Sequence, residues 1–438
     1  MRYRLANVFR FAMPFLQTSL IKQIMVGLIL GVIMALAWPE GAASVGLLGK
    51  IFVTALKGVA PVLVFILVLS AIANQGDKSP VPESGESRNP IKVILALYIF
   101  STFGAAILSV FASFAFPTEI TLASQADATS APGGMGEVLS TLLLNVVDNP
   151  VNAIAKGNYI GILAWAIACG LVLRNSRKET RIVLTDATKA VEFVVQLVIR
   201  FAPVGIFGLV ASTIATEGFA VLAGYVRLLG VLLGTMAVVA LVLNPLLVWL
   251  VTRENPFPVT FMVLRESAVF AFFTRSSAAN IPVNMAICHR LNLPESTYAV
   301  SVPVGSTVNM AGAAVTITVI TLSAAHSLGV EVGIGSAIFL SFVASICAAG
   351  TSGVPGGSLM LLPLACGLFG IDQDMAMQVV AVGFIISVLQ DSTETGLNSS
   401  SDVLFTIAGL RAVEKSQGLG ADHMMTTPRK KIADRAAQ

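Results

Sequence analysis

The chain has 438 residues, of which 55% are hydrophobic and only 12% are charged, with a formal net charge of +3. An average soluble domain carries about 25% charged residues, so this composition excludes an ordinary soluble protein. It predicts a polytopic membrane protein instead.

The apolar runs are long enough to cross a bilayer, which takes about 20 residues of helix. In chain order they lie around 18–37, 48–73, 91–116, 138–173, 185–215, 221–251, 297–322 and 376–410. An all-α protein with eight transmembrane helices is therefore predicted. The N-terminus is basic and leads into the first run without a cleavable signal pattern.

Basic residues are concentrated on alternate sides of these runs. Arginines precede the first run and basic groups flank or follow others, at Arg2, Arg4, Arg10, Lys78, Arg88, Lys92, Arg174, Arg177, Lys178, Arg181 and Arg253. The intervening segment FPTEITLASQADATSAPGGMGE has no lysine or arginine. This asymmetry predicts that both termini are cytoplasmic. The basic tail 414–438 is interpreted as a topology anchor, in preference to a nucleic-acid or lipid-specific binding segment.

Two further segments have arms too short for full spans. The first candidate hairpin, 259–291, has the tip TRSSAANIP, and the second, 335–370, has two arms of about 14 residues around AGTSGVPGG. Such lengths suit re-entrant hairpins, and non-helical backbone at membrane depth survives where it lines protein or a cavity. Paired broken segments predict an inverted repeat and a transporter binding site.

The run between the hairpins carries the sequence PVGSTVNMAGAA. Gly305, Asn309 and Gly312 lie in mid-span, which predicts local unwinding of the helix there. The carbonyl groups that unwinding exposes are suitable ligands for a hard monovalent cation.

The last run contains the stretch DSTETGLNSSSD. At about 100° per residue, one helical face carries Asp391, Thr395, Asn398 and Asp402, with Glu394 at its edge. Carboxylates inside a span are costly and mark a functional site by default. The candidate compensating cations are Arg275 in the first hairpin tip, a substrate ammonium group, and bound Na⁺ or H⁺. Arg275 is expected to pair with Asp391 or Glu394, in preference to the alternative that its side chain extends to the cytoplasmic surface.

The chain resembles the dicarboxylate/amino acid:cation symporters, the glutamate-transporter-like family, over nearly its whole length. The resemblance is carried by FTRSSAANIP, PVGSTVNMAG, AGTSGVPGG and DSTETGLNSSSD, and by NPVNAIAKGNYIGILAWAIACGLVL. Among the branches it looks most like the bacterial serine/threonine:sodium symporters. The resemblance implies an elevator mechanism, a homotrimer and a bacterial inner-membrane location. It also implies a scaffold part, 15–73 and 137–215, and a transport part, 90–116 and 221–413.

The resemblance also implies roles for individual residues. The substrate would bind to hairpin serines, hairpin-two backbone and last-span polar groups, with Asp391 taking the ammonium: Ser276, Ser277, Val354, Gly356, Asp391, Glu394, Thr395 and Asn398. Sodium would bind at Gly305, Asn309, Asn398 and Asp402, and at a second position near Thr307 and Ser352.

Three positions depart from carriers of acidic amino acids. Glu394 stands where those carriers have an arginine for the substrate's side-chain carboxylate, and Ala313 replaces a supporting threonine. Ala311 replaces an aspartate of a third sodium site, although Tyr98, Ser101 and Thr102 resemble its other partners. The first two changes favour a neutral substrate, and the third favours fewer sodium ions.

The resulting hypothesis is a sodium-coupled symporter that imports small neutral amino acids, chiefly serine and threonine. Its partners would be that substrate and membrane lipid, with Na⁺ co-transported and no organic cofactor, transition metal or nucleic acid. An acidic amino acid or dicarboxylate carrier is the alternative, and an ion channel a weaker one. An intramembrane hydrolase and an ATP-driven pump are disfavoured because the chain has no HExxH, GxSxG or GxxxxGK[ST] sequence.

Overall fold

The computed structural model describes residues 20–74, 90–122, 144, 146–349 and 356–416. Within these ranges every regular element is a helix, which confirms the all-α prediction. The α-helices are α1 (Leu20–Ala37), α2 (Pro39–Asn74), α3 (Pro90–Ala115), α4 (Pro150–Lys156), α5 (Tyr159–Leu173), α6 (Lys178–Arg200), α7 (Ala202–Glu217), α8 (Ala220–Val238), α9 (Asn244–Thr252), α10 (Phe257–Val263), α11 (Val269–Thr274), α12 (Ser277–Arg290), α13 (Glu295–Val308), α14 (Ala311–Ser327), α15 (Ile334–Ala348), α16 (Leu362–Gly367) and α17 (Gln373–Ser416).

Several helices are long and apolar enough to cross a membrane, as predicted. In the described ranges six stretches qualify, or seven if the bent pair α6 and α7 forms one span. The predicted total of eight transmembrane helices is therefore not established by the structure. Five-residue π turns join α8 to α9 and α10 to α11, so each of those pairs forms a continuous stretch.

Two runs that the sequence predicted as continuous spans are broken. In 138–173, Asn149 caps α4, Gly157 ends it with a φ of 67°, and Asn158 caps α5. In 185–215 the axis bends by 45° between α6 and α7, where Pro203 occupies the first turn of α7. Capping side chains and a proline therefore override apolar length in both runs.

The helices pack in two groups. In the first, α7 lies along both α1 and α2, and α2 also contacts α5 and α6. In the second, α17 is the central helix and contacts α3, α8, α9 and α11 to α14. The helix α14 is buried along nearly its whole length, from Ala311 to Ala325. This second group holds all the acidic residues that the sequence singled out in the last span.

The first arm of the first hairpin consists of α10, a π turn and α11, and its second arm is α12. Arg275 ends α11 in the left-handed conformation, with a φ of 52°. Ser276 then caps α12, because its Oγ accepts a bond of 3.2 Å from the Ala279 N–H. The chain reversal thus falls inside the predicted tip.

The second hairpin begins with α15, and the tip residues 350–355 lie outside the described ranges. After the tip, a 3₁₀ turn, Leu359–Leu361, leads into the six-residue α16. The second arm is therefore shorter than the predicted length of about 14 residues, since α16 ends at Gly367.

The predicted unwinding between the hairpins is confirmed. The helix α13 ends at Val308, Asn309 and Met310 have non-helical backbone angles, and α14 begins at Ala311. Asn309 lies fully buried at this break. The break brings its side chain against α17.

Candidate binding site

Three carboxylates of α17 lie buried in the apolar part of the protein. Asp391 is 3% exposed, Glu394 5% and Asp402 1%. They belong to a stretch that qualifies as a membrane span. Each therefore needs a partner that offsets the loss of water.

Asp391 is paired with the first hairpin tip. The Nε of Arg275 lies 2.6 Å from Asp391 Oδ2, and both side chains are buried. The other oxygen, Oδ1, accepts a longer bond of 3.3 Å from the backbone N–H of Gly356 in the second hairpin. Asp391 therefore contacts both hairpins. The sequence left Asp391 and Glu394 as possible partners of Arg275, and the structure pairs Arg275 with Asp391.

Glu394 is held by neutral donors. Its Oε2 accepts hydrogen bonds from the Thr316 hydroxyl at 2.7 Å, the Ser358 hydroxyl at 2.8 Å and the Gln390 amide at 2.5 Å. No ion pair joins it to a lysine or arginine among the described residues. The surroundings of Glu394 therefore differ in kind from those of Asp391.

Asn398 anchors the start of α14 to α17. Its Oδ1 accepts a bond of 2.7 Å from the backbone N–H of Gly312, one of the amides that the helix start leaves without an internal partner. A Cβ at Gly312 would lie 2.9 Å from the Glu394 backbone, so the close approach of the two helices requires glycine. The Thr395 hydroxyl donates to the Asp391 carbonyl of its own helix at 2.7 Å.

Asp402 lies beside the break between α13 and α14. The Asn309 amide donates to Asp402 Oδ1 at 2.9 Å, to the Asn398 carbonyl at 3.2 Å and to the Ser401 hydroxyl at 2.7 Å. Gly305 packs against the same carboxylate, where a Cβ would come within 2.4 Å of Asp402 Oδ1. The sequence-predicted sodium residues Gly305, Asn309, Asn398 and Asp402 are thus brought together.

Buried oxygen atoms without partners mark the same place. Among the described residues, Asp402 Oδ2 and Asn309 Oδ1 are buried and make no hydrogen bond. Buried polar atoms are ordinarily satisfied, so such a group calls for an explanation. Carboxylate, amide and hydroxyl oxygens are the ligands that hard cations prefer. The donor set therefore fits Na⁺, although a network of water would also satisfy these atoms.

The hairpin serines and Thr307 take no part in the carboxylate contacts described above. Ser276 caps α12, and Ser277 is buried beside it at 3% exposure. Thr307 is exposed, and its hydroxyl donates to the Val304 carbonyl of its own helix at 2.9 Å. The second sodium position that Thr307 would share with groups near Ser352 stays a prediction, because those groups lie outside the described residues. Ser352 and Val354 lie outside the described residues.

The family departures and their neighbours are buried. Ala311 and Ala313 are both fully buried in α14. Tyr98 donates a bond of 3.1 Å to the Ser301 carbonyl, and Ser101 donates one of 2.7 Å to Asn244 on α9. Ala311 thus supplies no carboxylate on α14, the helix that packs along α3.

One polar network was not predicted from the sequence. The Asn280 amide donates to the Ser399 hydroxyl at 2.6 Å and to the Ser267 hydroxyl at 2.9 Å, while the Asn284 amide donates to the Ser399 carbonyl at 2.9 Å. All four residues are at most 1% exposed. The network ties the first hairpin to α17. Its sequence signal is the pair of asparagines one helical turn apart in NIPVN.

The comparison with protein families agrees with this arrangement. A family model described as the sodium:dicarboxylate symporter family matches residues 20–410. The matched region includes both hairpins, the break at Asn309 and the carboxylates of α17.

Proposed function

Since the chain belongs to the sodium:dicarboxylate symporter family, and so to the sodium-coupled carriers of dicarboxylates and amino acids, we propose that it imports small neutral amino acids, chiefly serine and threonine. Cargo and co-transported Na⁺ would bind in the region formed by the two hairpins, the break at Asn309 and α17. As the family is one of transporters, no enzymatic step enters this proposal.

The observation that carries this proposal is the environment of Glu394. An acidic substrate would bring a second carboxylate to this buried site, where like charges repel strongly unless one takes a proton. The Glu394 carboxylate is held by three neutral donors, and the nearby guanidinium of Arg275 is bound to Asp391. A substrate hydroxyl, in contrast, would find a hydrogen-bond acceptor in Glu394.

The substrate's charged groups would use the other polar residues. Its ammonium group would bind to Asp391 from the Oδ1 side, where the bond from Gly356 is long at 3.3 Å. Its carboxylate would bind near Ser276 and Ser277, since the start of α12 presents N–H groups and the positive end of the helix dipole. Thr395, Asn398 and the second hairpin tip would complete the pocket.

Sodium would bind at the unpartnered oxygens of Asp402 and Asn309, with carbonyl groups of Gly305 and Asn398. A zwitterion carries no net charge, so one co-transported Na⁺ makes each cycle move one positive charge. At 100 mV this contributes about 2.3 kcal/mol, or close to fifty-fold accumulation, before the sodium gradient is added.

The two packing groups support an elevator mechanism. The group around α2 and α7 would be the stationary scaffold, and the group around α17 would carry the cargo across the membrane. We further propose a homotrimer in the bacterial inner membrane, with both termini cytoplasmic.

A carrier of acidic amino acids or dicarboxylates is the second candidate, and Arg275 is the observation that favours it. Its buried guanidinium would attract a substrate carboxylate if it were released from Asp391. The 2.6 Å contact with Asp391 disfavours that arrangement.

Uptake of labelled serine into proteoliposomes tests the coupling. Accumulation above equilibrium is expected with an inward sodium gradient, and no accumulation is expected when potassium replaces sodium. Equal accumulation in both conditions would refute sodium coupling. Rapid, non-concentrative flux in both would indicate a channel.

A further inference from the structure

We propose that Thr316, Ser358 and Gln390 are positioning residues that fix Glu394 as the acceptor for the substrate's hydroxyl and so set the preference for serine over alanine. The inference rests on the proposed function, since it assigns the groups that make that pocket selective. None of the three needs to touch the substrate.

The geometry directs all three donors to one oxygen. Thr316, Ser358 and Gln390 reach Glu394 Oε2 over 2.5–2.8 Å. No donor from the described residues is bonded to the other oxygen, Oε1. A carboxylate oxygen accepts two hydrogen bonds readily, so Oε2 has no capacity left for a substrate. The hydroxyl of serine or threonine would therefore bind at Oε1.

The directions of two hydrogen bonds fix the orientation of the Thr316 hydroxyl proton. Gln390 Nε2 carries two N–H groups and donates one of them to Thr316 Oγ1 at 2.7 Å. Because that oxygen accepts from Gln390, its own proton points toward Glu394. Thr316 and Gln390 thus act as a pair, and loss of either disturbs both bonds.

The three donors come from different parts of the fold. Thr316 lies on α14, Gln390 lies one turn before Glu394 on α17, and Ser358 follows the second hairpin tip. All three are at most 1% exposed. A buried carboxylate held from three directions has little rotamer freedom, and such positioning of a binding group is what selectivity requires. A hydroxyl substrate would gain a bond there that alanine lacks.

A purely structural role would produce a different result. If the bonds served only to pack α14 against α17, their loss would lower the amount or stability of the carrier and affect all substrates alike. Selectivity is independent of the amount of carrier. The ratio of apparent KM for alanine to that for serine therefore distinguishes the two roles.

The experiment compares this ratio in proteoliposomes for the unmodified chain and for Thr316→Val, Ser358→Ala and Gln390→Leu. Thr318→Val is the matched control, because Thr318 is a fully buried residue of α14 whose hydroxyl has no partner among the described residues. Loss of one positioning bond is expected to lower the ratio about fivefold. Thr316→Ser, which keeps the hydroxyl, and Thr318→Val are expected to keep the ratio of the unmodified chain.

The inference is overturned if Thr316→Val and Ser358→Ala both keep the ratio of the unmodified chain, an outcome that leaves the proposed function intact. If Thr316→Val does not fold, Ser358→Ala and Gln390→Leu decide in the same way. A chain that shows no preference for serine over alanine before substitution overturns this inference together with the serine and threonine assignment.

Discussion

Arg275 and Asp391 form a buried ion pair, with 2.6 Å between Nε and Oδ2, that joins the tip of the first hairpin to α17. Arg275 reaches this position through a left-handed backbone conformation at the end of α11. The pair therefore fixes the hairpin tip beside the proposed substrate pocket. It also places a permanent cation next to a carboxylate that would otherwise be uncompensated.

Replacement of Arg275 by alanine is expected to abolish uptake. Removal of one partner of a buried pair leaves an uncompensated charge and costs about 3–5 kcal/mol. Arg265→Ala is the matched control, because Arg265 lies in the same hairpin and its side chain is 80% exposed. Sodium-driven serine uptake at equal expression is the measurement. Undiminished uptake by Arg275→Ala would show that Asp391 does not depend on the pair.

A second substitution tests which carboxylate forms the functional ion pair with Arg275. Since the contact is with Asp391, neutralisation of Glu394 in an Arg275→Ala, Glu394→Gln variant is not expected to restore uptake. Recovery of uptake in that double variant would indicate that the relevant partner is Glu394.

Asp402→Asn is expected to abolish sodium-driven accumulation. The change removes the charge that faces the proposed cation, and loss of a buried charged partner costs about 2–5 kcal/mol. Asp374→Asn serves as the control, because Asp374 lies in the first turn of the same helix and its side chain is 79% exposed. The measurement is serine uptake as a function of sodium concentration, which shows whether uptake still depends on sodium. The assignment fails if Asp402→Asn keeps the sodium dependence of the unmodified chain.

Gly305→Ala is expected to weaken sodium binding without a change in charge. Its Cβ would lie 2.4 Å from Asp402 Oδ1 and 2.8 Å from the Tyr98 hydroxyl, so the carboxylate must move. Strain of this kind costs about 1–3 kcal/mol. At Gly333, in contrast, a Cβ would meet nothing within 4 Å, and Gly333→Ala is the control. An unchanged sodium concentration for half-maximal uptake in Gly305→Ala would contradict the close packing.

Asn284→Ala is expected to destabilise the first hairpin. The substitution removes the amide that donates to the Ser399 carbonyl and the oxygen that accepts from the Ser267 hydroxyl, at a cost of about 1–3 kcal/mol. Thermal unfolding of the purified carrier in detergent measures the loss. Ser44→Ala, which removes a hydroxyl bond in an exposed place, is the control. Equal midpoints for the two variants would mean that the network contributes little.

Much of the fold was predictable from the sequence because apolar length and helix-breaking residues are local signals. The unwinding at Asn309 and the reversal near Arg275 follow from such signals. The break at Gly157 was missed, since an apolar run hides the capping role of Asn149 and Asn158.

The partners within the site were harder to predict. The sequence left two possible partners for Arg275, because Asp391 and Glu394 lie one turn apart on the same helix. The donors to Glu394 include Ser358 and Thr316, which are 36 and 78 residues away in the chain. No sequence period specifies such contacts, because they depend on how separate helices pack together.

Competition against labelled serine near neutral pH tests the central claim most directly. Proteoliposomes that contain the unmodified chain would be offered excess unlabelled serine, threonine, alanine or aspartate under one sodium gradient. The account predicts strong inhibition by serine and threonine, weaker inhibition by alanine and almost none by aspartate. Inhibition by aspartate equal to that by serine would contradict it, because Glu394 would then not face the substrate.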